Sequence, residues 1–192
     1  MAEVAELLER LTPAGRRVLD VAAELFYAEG IHAVGVEAIA AGAGVTKKTL
    51  YACFGSKERL VTAYLVERDQ RWREWLRNWV AERASGPRDE LLAVFDALGA
   101  WMDRAGFRGC AFVNALAEMP EADHPGRAVV IGQKRWMRDY FEELAALAGV
   151  AEPAQFADSA LLLYEGATIV ASADIPGAVD HARRTAEVLL AA

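Results

Sequence analysis

Apolar positions recur at helical spacing along nearly the whole chain, and no stretch of useful length alternates as a strand would. Val18, Ala22, Leu25 and Phe26 line one face of a segment that follows Thr12-Pro13, a capping residue with proline at the first helical position. Glu29-Gly30 closes that segment, because glycine accepts the left-handed backbone at a helix end. Leu65, Trp72, Trp75, Leu76 and Trp79 continue a long helix that begins near Ser56. Leu91, Phe95, Leu98 and Met102 mark another, and Met137, Tyr140, Phe141, Leu144 and Leu147 a third. The prolines at 13, 87, 120, 125, 153 and 176 fall between these segments or at their starts, where a missing N–H costs little. There is no Asn-Gly hairpin turn and no internal repeat. The pattern predicts an all-α fold of about nine helices, with three of them complete by about Phe54.

Two late segments carry a different pattern. Ala160 to Ala173 is apolar nearly all round, and a helix with no polar face must be covered on both sides. Gly166, Ala167, Ala171 and Ser172 are small enough for close helix approach. The final segment has its own stripe of Val179, Ala182, Ala186, Leu189 and Leu190. Cover comes either from a neighbouring helix of the same chain or from a second copy. Glu165, inside the apolar run, borders a pocket, pairs across an interface or sits at its edge.

Composition narrows the class. The 192 residues are 54% hydrophobic and 26% charged, which is globular and far from the disordered regime. The opening MAEVAELLER is acidic and amphipathic, without the order of a secretory signal. The longest apolar run is too short for a bilayer. Cys53 and Cys110 stand far apart, with no metal-ligand spacing. A soluble cytoplasmic protein without a membrane partner is expected.

Charge changes the picture more. The formal net charge is -7, yet Thr12 to Leu65 holds six bases against five acids, so the remainder carries -8. Only this first third can meet a polyanion without repulsion. Within it, VTKKTLYACFGSKERL places Lys47, Lys48, Lys57 and Arg59 around Tyr51 and Phe54.

The surrounding stretch, VEAIAAGAGVTKKTLYACF, has the spacing of a helix-turn-helix. Ala40 is the small residue where two helices touch, Gly44 serves the bend, and Leu50, with Ile39, Val45 and Phe54, anchors the pair to a third helix. Thr46 caps the second helix, from about Lys47 to Phe54, and Gly55-Ser56 ends it and caps the next. Lys47, Lys48 and Lys57 neutralise phosphates, and Thr46 and Tyr51 donate to the backbone. Lys48 is the best candidate for a guanine edge, Thr49 a weaker one.

The run GIHAVGVEAIAAGAGVTKKTLYACFGSKERLVTAYL resembles the DNA-binding domain of the TetR family of transcriptional repressors. The resemblance covers roughly Thr12 to Leu65 and implies a helix-turn-helix domain over 1–57, with an effector-binding and dimerisation domain over 58–192. It implies double-stranded operator DNA, a homodimer and a small-molecule effector as partners. Two departures stand out: Gly35 replaces the usual Ser or Thr cap of the domain's second helix, the first of the helix-turn-helix pair, and Ala52-Cys53 replaces residues that are often aromatic or histidine.

In the family an effector site lies among the C-terminal helices. Trp72, Trp101, Phe107, Cys110, Asn114, Trp136, Tyr140 and Tyr164 are the candidates for a mainly apolar pocket with a few polar groups. RGCAFVNALAEM (108–119) is similar to a short helix that borders the pocket in a subset of the family. Rival functions are poorly served. His32, His124 and His181 are widely separated, no Ser or Cys has a nucleophile context, and neither a phosphate loop nor an HExxH pair occurs. No catalytic residue, metal or cofactor is expected. A redox role for Cys53 or Cys110 is the alternative to effector control, and the sequence does not choose between repressor and activator.

Overall fold

The computed structural model describes residues 2–104 and 106–191. Its ten helices are α1 (Ala2–Glu9), α2 (Pro13–Glu29), α3 (Val36–Gly42), α4 (Lys47–Phe54), α5 (Lys57–Arg83), α6 (Pro87–Met102), α7 (Ala111–Ala117), α8 (Pro125–Leu147), α9 (Pro153–Ser172) and α10 (Ala178–Ala191). No strand occurs among the described residues, so the fold is all-α as the periodicity predicts. The count exceeds the expected nine by one, and four helices rather than three precede Gly55. The addition is α1, formed by the acidic amphipathic opening of the chain. It is held by burial of Val4 and by Glu3, which accepts from Arg59 at 2.9 Å.

Packing divides the chain into two units, 1–71 with 111–132, and 72–110 with 133–192. In the first unit, α2, α3 and α4 pack on one another. Val18, Leu19, Ile39, Leu50 and Phe54 are almost wholly removed from water there. Thr12 Oγ1 accepts from Gly15 N–H at 3.1 Å, and Gly30 ends α2 at φ +96°. The α3–α4 turn is a Schellman closure: Val45 N–H reaches Ala40 O at 3.0 Å, and Gly44 N–H reaches Ala41 O at 3.1 Å. Gly44 sits at φ +63°, where a side chain would add strain. Arg16 and Arg71 both pair with Glu67, fixing α2 to α5.

The second unit is built on α6, the later parts of α5 and α8, and the α9–α10 pair. Helix α10 packs on both α9 and α6. Phe95, Phe141 and Tyr164 form its aromatic centre, with ring centroids 5.8–6.1 Å apart.

Candidate functional site

Helix α4 is positioned by its own ends. Thr46 has extended backbone and its Oγ1 accepts from Thr49 N–H at 3.1 Å, while Gly55 closes the helix at φ +78°. A side-chain cap of this kind contributes about 1 kcal/mol. Leu50 and Phe54 face inward, which turns Thr46, Lys47, Lys48, Tyr51 and Ala52 to the exterior, with Thr49 half-buried. All five proposed α4 contact residues thus share one short helix and its cap. The Thr46 and Thr49 hydroxyls are 3.0 Å apart.

Two electrostatic features were not legible in the spacing. Lys47 pairs with Glu37 of α3, a contact that raises the lysine pKa and lowers that of the carboxyl. Lys57, the sixth proposed contact, is half-buried in the first turn of α5, with its Nζ 6.0 Å from the Phe26 ring centroid. Burial lowers its pKa, partly offset by the carboxylate of Glu118. At the start of α3, Gly35 provides no side-chain cap, as its identity requires.

The eight proposed effector residues fall into separate groups. Trp72 and Trp101 meet at 4.9 Å, joined by Trp75, and Arg104 lies 4.0 Å from the Trp101 ring centroid. Trp136 stacks on Tyr140 at 5.2 Å, with Arg73 and Arg77 over the indole. Tyr164 is buried against Phe95 and Phe141, and burial holds its pKa well above the usual tyrosine value. Burial also pushes Tyr140 up to about 12. Cys110 Sγ lies 3.4 Å from Lys134 Nζ, which donates to Glu165 at 2.7 Å. Phe107 is half-buried in the turn after α6, and Asn114 is exposed on α7, in the other unit.

Sequence reasoning missed Lys134, the partner of Glu165, and Gln133, whose Oε1 is buried without a hydrogen-bond partner. Neither has a local signature. A cleft of about 580 Å³ on α9–α10 is lined by Leu162, Gly166, Val170, Ile175, His181 and Arg184 among others. Among the described residues there is no group of three or more His, Cys, Asp or Glu placed to hold a metal. No helix is long and apolar enough to cross a membrane among them either.

Comparison with known proteins supports the reading of α2–α4. Residues 18–64 match the family described as "Bacterial regulatory proteins, tetR family". Over 174 residues the chain is 27% identical to the HTH-type transcriptional regulator YjdC of Escherichia coli, covering 90% of this chain and 91% of that one. The crystal structure of SCO4454, a TetR-family transcriptional regulator from Streptomyces coelicolor, superposes with a TM-score of 0.85. That protein is 32% identical, over 93% of this chain and 94% of its own. A TetR regulator from Chloroflexus aurantiacus, at 21% identity and TM-score 0.80, shares the fold over 100% of this chain and 97% of its own. A capped, outward-facing α4 in a matched helix-turn-helix, and full-length likeness at this identity, lead to one conclusion: the chain belongs to the TetR family of DNA-binding transcriptional regulators.

Proposed function

We propose that this regulator is a cytoplasmic homodimeric repressor, without a cofactor, that leaves its operator when a small, mainly apolar molecule binds the C-terminal helices. The observation that carries the DNA half is the face of α4. An acidic chain exposes Lys47, Lys48 and Tyr51 together on a helix whose other side is anchored by Leu50 and Phe54. Lysines there release counterions from phosphates, hydroxyls set register, and Lys48 reads a base edge. The working division is a DNA-binding domain over 1–57 and an effector and dimerisation domain over 58–192.

Two recognition helices must enter successive major grooves about 34 Å apart, so a few Å of displacement in each subunit breaks simultaneous docking. Helix α5 begins at Lys57 and carries Trp72, Trp75 and Trp79 in its later half. A ligand wedged beside those indoles tilts α5 as a lever. Release needs only that the ligand prefer the mis-spaced state, and a 100-fold preference corresponds to about 2.7 kcal/mol.

The test begins with a duplex selected by the protein from a randomised pool. Lys57→Ala should weaken all duplexes alike and lower the salt slope by about one per subunit. Lys48→Ala should also relax preference at one position per half-site, by roughly 1–3 kcal/mol. Unchanged affinity in both variants removes this face as the docking surface. Linkage makes the lever testable as well, because saturating operator must weaken ligand binding by the factor through which ligand weakens operator binding. Equal ligand affinity by tryptophan fluorescence, with and without operator, refutes it.

A further inference from the structure

Glu118 stands immediately after α7, in the same unit as the DNA-binding helices. Its carboxylate accepts a hydrogen bond from the backbone N–H of His32 at 2.7 Å, and His32 Nδ1 lies 4.0 Å from the same oxygen. Both carboxylate oxygens also crowd Gly30, lying 3.1 and 3.2 Å from the place a Cβ would occupy. With Gly30 at φ +96°, the turn after α2 is shaped to admit this one side chain. The segment is itself firmly held. Met119 is buried and its carbonyl accepts from Arg127 at 2.6 Å.

The turn that Glu118 grips leads into α3 at Val36. Gly35, the residue at the cap, has no side chain with which to hold the first turn of α3. Glu37 in the first turn takes a backbone hydrogen bond of its own, and Ile31 and Val34 are buried in the turn, so the His32 N–H adds a hold on the start of α3 from outside the helix. Helix α3 packs directly on α4, so the setting of one fixes the other.

Resting on the DNA-binding reading above, we infer that Glu118 is a positioning residue for DNA binding: through its hydrogen bond to His32 N–H it sets the α2–α3 turn, and so the placement of α4. Its charge acts in the opposite direction. A negative charge in the unit that holds the DNA-binding helices repels a polyanion.

Two substitutions separate the effects. Glu118→Gln retains an acceptor for His32 N–H and removes the charge. Glu118→Ala removes both. With the full chain and a duplex selected by the unsubstituted protein, Glu118→Ala should bind about tenfold more weakly, the scale of one lost hydrogen bond to a charged acceptor. Glu118→Gln should bind at least as tightly as the original chain, an outcome that general loss of stability would not produce. Amide exchange at His32 should quicken about tenfold in Glu118→Ala and stay slow in Glu118→Gln. If the two variants bind alike, or His32 exchanges at the original rate in both, the positioning role is overturned while DNA binding stands. If the unsubstituted chain selects no duplex, the DNA-binding reading fails first and this inference falls with it.

Discussion

Lys47 and Glu37 stand ten residues apart and meet across the α3–α4 turn, on the face proposed to receive DNA. A phosphate approaching Lys47 must displace a carboxylate or tolerate it nearby. Both groups are exposed, so the pair adds little to folding and acts mainly on binding. Glu37→Gln should therefore tighten duplex binding several-fold and steepen the salt dependence by about one unit per subunit, measured by anisotropy across a salt series. An unchanged slope would show that Lys47 stays off the phosphates. A different residue-scale effect concerns the buried phenols. Burial raises Tyr140 to about 12, so its neutral form favours the folded state. That contribution is complete below about pH 10 and is lost as pH rises through 12. Chemical denaturation should show stability falling across this window, and denaturant added at pH 11 should raise tyrosinate absorbance as Tyr140 and Tyr164 come free.

At the scale of elements, α9 fulfils half of its sequence pattern within one chain. Ala160, Tyr164 and Ala167 face the core, while Leu162 remains 75% exposed and Val188 of α10 69% exposed. Ile169 and Leu189 add to this apolar surface, which is unusual for helices that end a stable monomer. A second copy is the proposed cover, since paired half-sites demand two-fold symmetry. Leu162→Asp with Val188→Asp should leave the helical spectrum intact and yield monomers near 20.9 kDa by light scattering. A dimer that survives both substitutions would locate the interface elsewhere. The helix ends were legible because capping chemistry is local: Thr12, Thr46 and Ser56 each accept from an N–H three residues on. Helix α1 was half legible: its amphipathic pattern is local, but eight residues make a marginal helix alone, and the contact with distant Arg59 that helps hold it leaves no mark in the sequence. Long-range polar partners left no trace either. Glu118 finds His32 across 86 positions, and Glu165 finds Lys134 across 31. Among the proposed effector residues, aromatic type was readable but grouping was not. Trp136 and Tyr140 share a turn of α8 and were bound to meet, whereas Trp72 and Trp101 meet only because α5 and α6 fold together.

On the scale of the whole molecule, one locally basic third belongs to a chain whose remaining residues carry a net -8. Such a distribution disfavours loose attachment to DNA anywhere but through the basic third. The uncovered face of α9 and α10 then has a consequence for dosage. In the proposed homodimer, Leu162 and Val188, exposed in the single chain, are hidden by a second copy. When chains are scarce, by mass action, paired regulator grows with the square of their number. Halving the supply would then quarter the paired species, and under the proposed repression a lapse in synthesis would open the controlled gene more than in proportion. Once pairing saturates, the same lapse passes almost unnoticed. Under the proposed pairing, the apolar strip on two helices makes the response to expression level steeper than linear, quite apart from any effector.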